Sequence, residues 1–229
     1  MAKKRKKTRK ELLKEPDEFL TVSGKLIGFA AEYKTQMIYG LGIILALVII
    51  VSGMRFFSVR SENKASAMLD QSLMEYNRLM ADNKPEEVFS AVSASFQNIL
   101  QKYGEKENGK LARLIYANIC YDAGKYPQAI DLYTRSLKEF EKHPMIHSQI
   151  LTSLGYAYEQ QQDYSTAVSY FEKVSAAPEQ ILRSEALFQI GRLYKKLGQP
   201  EKSREAYQKI LSDHPDFMFI DIVKEQISG

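Results

Sequence analysis

The longest apolar stretch of the chain runs from Thr35 to Met54 and contains no charged residue. It lies between Lys34 and Arg55, and as an α-helix it would span about 30 Å, the thickness of a bilayer's hydrocarbon core. The pattern therefore predicts a transmembrane helix over residues 35–57. A buried helix of a globular core is the alternative, although such a helix is usually shorter or carries a polar stripe.

Helical periodicity continues on both sides of this stretch. Apolar residues at spacings of three and four predict an amphipathic juxtamembrane helix over 16–34, lying in the membrane interface: Phe19, Val22, Leu26, Phe29 and Tyr33. Beyond the stretch, helical spacing continues to Met80 and resumes from Val88 to Tyr103. Residues 58–109 are therefore predicted to form a divergent helical pair, closed by a turn from Gly104 to Gly109.

From residue 110 onwards the pattern repeats at intervals of 36 to 38 residues. The first helix of each unit carries a small residue: Ala117, Gly155 and Gly191. The second helix carries another small residue, and the three units have Ala129, Ala167 and Ser203 there. Four positions later each second helix carries an aromatic residue: Tyr133, Phe171 and Tyr207. Small residues let two helices approach closely, and the aromatic residues fill the space between units. Three prolines are predicted to terminate the units: Pro144, Pro178 and Pro215.

This alternation resembles the tetratricopeptide repeat (TPR), a 34-residue helix–turn–helix unit. The resemblance covers residues 110–216 and is strongest in the second and third units, since Arg113 stands where the first unit should have an apolar residue. It implies three TPR-like repeats, with residues 217–229 as a C-terminal capping helix. The fold is therefore predicted to be all-α: a single N-terminal transmembrane helix followed by a TPR-like α-solenoid of helical hairpins.

Positive charge is concentrated before the apolar stretch. Residues 1–36 contain ten Lys and Arg against five acidic residues, whereas the rest contains 22 basic and 23 acidic residues. Because positively charged flanks remain cytoplasmic, the N-terminus is predicted to be cytoplasmic and the repeats extracytoplasmic. Residues 1–15 are predicted to be a basic, disordered cytoplasmic tail that sets topology, or that binds anionic lipid or the ribosome. The near-neutral repeat region is not expected to bind nucleic acid.

Three further features limit the possible functions. About 36 residues precede the apolar stretch and Val51-Ser52-Gly53 is a poor cleavage site, so a cleaved signal peptide is not expected. His143 and His147 have a metal-binding spacing, but no third ligand accompanies them. The single cysteine, Cys120, occupies a core position of the first repeat. We expect no catalytic residues, no cofactor and no metal, and hence no enzyme.

The first helix of each unit is predicted to line a concave, protein-binding surface, because repeat arrays use such surfaces for binding. Tyr121, Tyr156 and Phe188 would otherwise expose large apolar area there, which favours a binding groove over a merely solvated face. The predicted protein-binding residues are Asn118, Tyr121, Gln149, Thr152, Tyr156, Glu159, Phe188, Arg192 and Lys195.

A basic tail, one span and a repeat array of this size also resemble the YfgM-like ancillary subunit of the bacterial Sec translocon. That resemblance implies a single-pass inner-membrane protein with periplasmic repeats. Its partners would be the translocon, a periplasmic chaperone and nascent exported chains. We therefore expect a membrane-anchored scaffold or chaperone-like helper for exported proteins. The alternatives are a structural assembly scaffold of a cell-envelope or secretion complex, an enzyme, and a protein of inverted topology with cytosolic repeats.

Overall fold

The computed structural model describes residues 18–178 and 182–228. These residues form α-helices and no β-strand. In chain order, the helices are α1 (Glu18–Glu32), α2 (Lys34–Met80), α3 (Pro85–Tyr103), α4 (Glu107–Asp122), α5 (Tyr126–Glu139), α6 (Pro144–Gln160), α7 (Tyr164–Ala176), α8 (Arg183–Lys196), α9 (Pro200–Asp213) and α10 (Ile220–Ser228). The all-α prediction is confirmed. The predicted tail over residues 1–15 lies outside the described residues.

The chain divides into two compact units, residues 1–59 and residues 60–229. In the first unit, the apolar part of α2 is exposed among the described residues: Ile43, Leu45 and Ile49 are each about 60% exposed. Among the described helices, α2 alone is long and apolar enough to cross a membrane. A core helix of a globular domain would be covered, so that alternative does not fit this structure.

The second unit is a chain of helices in which each helix packs against the next one, from α3 to α10. Packing of each helix against its neighbours in the sequence is the mark of a solenoid. Hairpins α4–α5, α6–α7 and α8–α9 correspond to the three predicted repeats. Residues 60–80 of α2 also join the core of this unit, through Ala65 and Leu69.

The turn inside each hairpin has three residues and one left-handed backbone conformation. Gly124 has φ +70° and Gly198 has φ +69°, which glycine adopts without steric cost. The second hairpin has Gln162 in the same place, at φ 63°. Asp163 follows and caps α7, its side chain accepting a hydrogen bond from the Thr166 backbone amide at 3.1 Å.

The aromatic residues of the repeats are buried in the core. Tyr133, Phe171 and Tyr207 are at most 2% exposed. A Cβ placed on Gly155 would lie 2.7 Å from the ring of Phe171, and one on Gly191 would lie 2.5 Å from the ring of Tyr207. In the second and third hairpins, the aromatic ring of the second helix therefore lies directly against the glycine of the first helix.

Two boundary predictions are wrong. Pro144 does not end the first repeat but opens α6, because proline lacks only the amide hydrogen that the first helical turn leaves unpaired. The predicted turn from Gly104 to Gly109 is shorter, since α4 already begins at Glu107.

A carboxylate of α2, that of Glu62, stabilises the early start of α4. The Glu62 carboxylate accepts hydrogen bonds from the backbone amides of Asn108, at 2.8 Å, and Glu107, at 3.2 Å. A carboxylate at a helix N-terminus satisfies unpaired amides and favours the helix dipole. Burial by itself would raise the pKa of Glu62, but the hydrogen bonds from Asn108 and Glu107 outweigh it and lower that pKa.

The unusual Arg113 is accommodated by a buried ion pair. Its guanidinium pairs with the Glu139 carboxylate of α5 and also contacts the Gly104 carbonyl oxygen at 3.3 Å. Arg113 is only 8% exposed, so the first repeat replaces an apolar contact with a polar one between α4 and α5. The ion pair explains why this position departs from the repeat pattern without breaking the hairpin.

Candidate protein-binding face

The nine predicted binding residues lie on α4, α6 and α8, the first helices of the three hairpins. We call the side of these helices that carries them the first-helix face. Asn118, Tyr156 and Arg192 each follow the small core residue of their helix directly. Tyr121, Glu159 and Lys195 follow three positions later. Equivalent positions in successive repeats therefore present these side chains along one surface.

A polar network joins α6 to α8 on this face. The Tyr156 hydroxyl donates to the Glu185 carboxylate at 2.8 Å, and the Gln189 amide nitrogen contacts both groups, at 3.1 and 2.6 Å. Burial, followed by the neighbouring Glu185 carboxylate, raises the pKa of Tyr156. Gln189 was not predicted from the sequence. It is 5% exposed, and its spacing of four residues from Glu185 was the only signal for it in the sequence.

Glu159 is the centre of a second part of the network. One of its carboxylate oxygens, Oε1, accepts from Arg192 Nη2 at 3.1 Å and from Lys196 Nζ at 2.8 Å. The carboxylate is 8% exposed, whereas the two cations are 38% and 42% exposed. Glu159 is therefore covered by its partners, and Arg192 and Lys196 are the groups available at the surface. Lys196 also lies over the Tyr164 ring, at 4.9 Å.

In the first repeat the predicted residues contact neighbouring helices. The Tyr133 hydroxyl donates to Asn118 Oδ1 at 2.6 Å. The Tyr121 ring packs edge-on against Tyr126, and the Gln160 side chain of α6 lies near its hydroxyl. Burial, followed by the nearby Tyr126, raises the pKa of Tyr121. Tyr121 therefore connects the first hairpin to the second.

Phe188 lies within an aromatic cluster and not on an open surface. Its ring is 5.7 to 6.0 Å, centroid to centroid, from three other aromatic rings: Tyr207, Phe217 and Phe219. Tyr156 likewise packs edge-on against the core residue Phe171. The expectation that Tyr121, Tyr156 and Phe188 would expose large apolar area is wrong, because each is half-buried against its neighbours.

The other predicted residues are more accessible. Gln149 and Lys195 are exposed, and Lys195 Nζ hydrogen-bonds to Gln226 Oε1 of α10 at 2.8 Å. Thr152 is half-buried, with its hydroxyl donating to the Ser148 carbonyl at 2.9 Å. The accessible part of the face is therefore polar and charged, and its aromatic residues belong to the helix packing beneath.

The residues considered for metal or redox chemistry are separate from this face. His143 precedes α6, where its ring contacts that of Phe140, and His147 lies one turn into the helix. Among the described residues, no three or more His, Cys, Asp or Glu side chains are grouped so as to hold a metal ion. Cys120 is fully buried, and burial raises the pKa of its thiol to about 12. A thiol in that state is a core apolar group.

Comparison of the sequence with known protein families matches the tetratricopeptide repeat twice, over residues 110–180 and 185–216. These two segments are tetratricopeptide repeats. Both matches fall on the hairpins that carry the first-helix face. Repeats of this kind are protein-interaction modules that present extended surfaces to other proteins or peptides. No protein of curated function matches the chain.

Solved structures share the fold at low sequence identity. A tetratricopeptide repeat protein from Parabacteroides merdae superposes with a TM-score of 0.57 at 15% identity, over 71% of this chain and 59% of that protein. The chain therefore spans less than two thirds of that protein's length. The nearly identical TPR-like repeats of a kinesin light chain from Podosopora anserina give 0.55 at 14% identity, over 73% of this chain and 85% of that one. BtubC from P. vanneervenii superposes with a TM-score of 0.51 at 12% identity, over 74% of this chain and 81% of that one.

Proposed function

We propose that this chain is a membrane-anchored protein-binding scaffold without catalytic activity, whose repeats hold other proteins through the first-helix face. The observation that carries the proposal is the presence, in one chain, of tetratricopeptide repeats and of an uncovered apolar helix long enough to span a bilayer. Anchoring restricts the repeats to the membrane surface, where the local concentration of membrane-associated partners is high.

The orientation of the anchor follows from the charge distribution. The ten basic residues among residues 1–36 support a cytoplasmic N-terminus. In our proposal the repeats therefore lie on the opposite side of a bacterial inner membrane. On that side, the partners that suit a repeat scaffold are proteins that have just crossed the membrane. We therefore propose a helper for exported proteins that acts beside the Sec translocon and a periplasmic chaperone.

Topology is tested by adding protease to spheroplasts. We expect the repeats to be digested, leaving a protected fragment of about 60 residues that contains the N-terminus and the span. Digestion of the basic tail with protection of the repeats would instead establish the inverted topology, with cytosolic repeats.

Binding is tested by replacing single exposed residues with a photo-crosslinking amino acid in intact cells. Gln149 and Lys195 serve as sites on the first-helix face, and Ser169 of α7 and Gln208 of α9 serve as matched exposed sites on second helices. We expect crosslinks to other proteins from the first pair and few from the second. Equal crosslinking from both pairs would contradict binding through this face.

A structural assembly scaffold is the alternative, and the same experiment separates it from an export helper. An assembly scaffold would crosslink to a few fixed proteins whether or not protein synthesis continues. An export helper would crosslink to many newly made chains, and these adducts would disappear when synthesis is stopped.

A further inference from the structure

A cavity of about 530 Å³ lies between the first and second hairpins, where the end of α5, the start of α6 and the end of α7 meet. We call it the hairpin cavity. None of the nine first-helix-face residues lines it, and neither do Ser169 and Gln208 of the second helices. A cavity of this size with a mainly apolar wall is typical of a ligand site. The apolar part of the wall consists of Leu137, Pro144, Leu151, Ala177 and Pro178.

Ser148 lines the hairpin cavity with a hydroxyl that has no partner among the described residues. The residue is only 4% exposed. Its backbone carbonyl accepts a hydrogen bond from Thr152, but its hydroxyl takes part in none within the described chain. Buried hydroxyls are normally hydrogen-bonded, so an unpaired one in the wall of a cavity points to a polar group of a ligand.

The N-terminus of α6 supplies further donors beside this hydroxyl. Pro144 opens the helix, and His143 before it provides no side-chain cap. Amides in the first turn of a helix have no partner within the helix and favour a negative charge. His147 and Lys173 also line the cavity, and neither side chain forms a hydrogen bond or an ion pair with a described residue. Lys173 Nζ lies over the ring of Tyr170, at 4.5 Å.

The charge around the hairpin cavity is positive on balance. Glu141 is the one acidic residue of its wall, and it is exposed. Lys138 and Lys142 lie close to it in the sequence and are exposed as well, whereas Glu139 between them is held in the ion pair with Arg113. An acidic group is therefore attracted to this part of the surface.

The corresponding space one hairpin later differs from the hairpin cavity. It has a volume of about 300 Å³ and includes the equivalent residues Leu187 and Lys209. Two of its polar groups satisfy each other, because the Tyr194 hydroxyl donates to the Glu172 carboxylate at 2.9 Å. The smaller volume and this internal pair leave less space for a ligand there.

We propose that the hairpin cavity binds a segment of a partner protein through a large apolar side chain next to an Asp or Glu. The apolar side chain packs against Leu137 and Leu151. The carboxylate accepts hydrogen bonds from the Ser148 hydroxyl and the first amides of α6, with Lys173 as its counter-charge. This second docking surface rests on the proposed scaffold function only in taking the ligand to be a protein, and it is independent of the first-helix face.

The test uses the full-length protein in nanodiscs of neutral phosphatidylcholine, applied to an immobilised library of random short peptides that are acetylated and amidated at their ends. Empty nanodiscs identify peptides that bind lipid. We expect the peptides that bind wild-type protein to share a large apolar residue next to Asp or Glu. Lys173→Met, which removes the charge at similar length, should abolish the acidic preference and weaken the best peptide about tenfold or more.

Lys209→Met is the matched control, because Lys209 has the same repeat position one hairpin later and is also exposed. It should keep the preference. Ala177→Phe, which adds a ring to the wall of the cavity, should abolish binding of the same peptides. Replacing the acidic residue of the best peptide by its amide tests the contact on unaltered protein, and should weaken binding as much as Lys173→Met does. Lys173→Met itself should bind the two peptides equally.

Lys196→Met separates the hairpin cavity from the first-helix face, whose cations also attract acidic peptides. The inference is overturned if the preference is lost in Lys196→Met and kept in Lys173→Met, or if Ala177→Phe binds as wild type does. It is equally overturned if the selected peptides share no acidic residue beside an apolar one, or if no peptide is selected. These outcomes leave the scaffold function standing, which fails only if crosslinking in cells from Gln149 and Lys195 is absent.

Discussion

Gly155 of α6 lies directly against the ring of Phe171 in α7, so that a Cβ at this glycine would be 2.7 Å from the ring. Gly191 and Tyr207 repeat the arrangement one hairpin later, at 2.5 Å. In the third hairpin, the Ser203 hydroxyl also donates to the Gly191 carbonyl at 2.7 Å. The two helices of a repeat can approach this closely because the first helix has no side chain at the contact.

Gly155→Leu should therefore destabilise the repeats. The added side chain overpacks the contact with Phe171, which should lower the free energy of unfolding by about 1–3 kcal/mol or more. Urea denaturation followed by circular dichroism measures the change. Ser169→Leu, at an exposed position of α7, is the control and should change stability by about 0.5 kcal/mol or less. Equal effects of the two substitutions would contradict the close approach of α6 and α7.

Gln162→Gly should stabilise the protein. Gln162 has φ 63°, where a side chain costs energy, and glycine occupies the same place in the other two hairpins. After the entropy that glycine loses on folding is subtracted, we expect a gain of roughly 0.5–1 kcal/mol in the free energy of unfolding. The reverse change, Gly198→Gln, should cost a similar amount in the same denaturation measurement. A loss of stability in Gln162→Gly would show that this conformation is not retained in solution.

Phe188→Ala should destabilise the end of the solenoid, although Phe188 was predicted to be a surface residue. Its ring contacts Tyr207, Phe217 and Phe219, and removing it leaves a cavity beside α10. Because the ring is half-buried, we expect a loss of about 2–3 kcal/mol, below the usual range for a fully buried phenylalanine. Hydrogen exchange should show faster exchange over α10 in particular. Ser169→Ala, at an exposed position of α7, should leave that exchange nearly unchanged.

Cys120 should not react with maleimide in the folded protein. Since the thiolate is the reactive form and burial raises the pKa of this thiol to about 12, almost none is present at pH 8, and the side chain is also inaccessible. Reaction should begin only at urea concentrations that unfold the repeats. Ser169→Cys supplies an exposed thiol for comparison and should react at once. Rapid labelling of wild type under native conditions would contradict the burial of Cys120.

Glu62→Gln should lower stability in a pH-dependent way. The pKa of Glu62 is lowered in the folded state from a reference value of 4.5, so its contribution is present above that pH and is lost as the pH falls through the folded pKa. The stability difference between wild type and Glu62→Gln should therefore be present at pH 7 and shrink in acid. Glu75→Gln, which affects an exposed pair with Arg78, should show little difference at either pH. A difference that is independent of pH would argue against the Glu62 carboxylate as the cap of α4.

The repeats were predictable because their energetics are local. Each hairpin is specified by residues within one repeat length, such as Gly155, Phe171 and the turn before Asp163, and each helix packs on its neighbour in the sequence. Hydrophobic periodicity and the alternation of small and aromatic residues therefore carry most of the information about the fold. The apolar stretch was equally clear, since twenty uncharged residues leave no polar face for solvent.

The binding face was predicted less well, since position in a repeat identifies the side of a helix but not what lies above it. Phe188 occupies a first-helix position, yet it is covered by Phe217 and Phe219, which follow it by about thirty residues. Glu159 has a similar position and is covered by Arg192 and Lys196 of the next repeat. Burial of such residues depends on contacts between repeats.

The sequence by itself determined the helices, their hairpins and the apolar segment, because each depends on interactions within a short stretch of chain. Only the tertiary structure decided that Glu62 caps α4 from a distance of 45 residues and that Arg113 pairs with Glu139. Side-chain hydrogen bonds and desolvation act over a few ångströms in space, so residues far apart in sequence have to be brought together before either can be known.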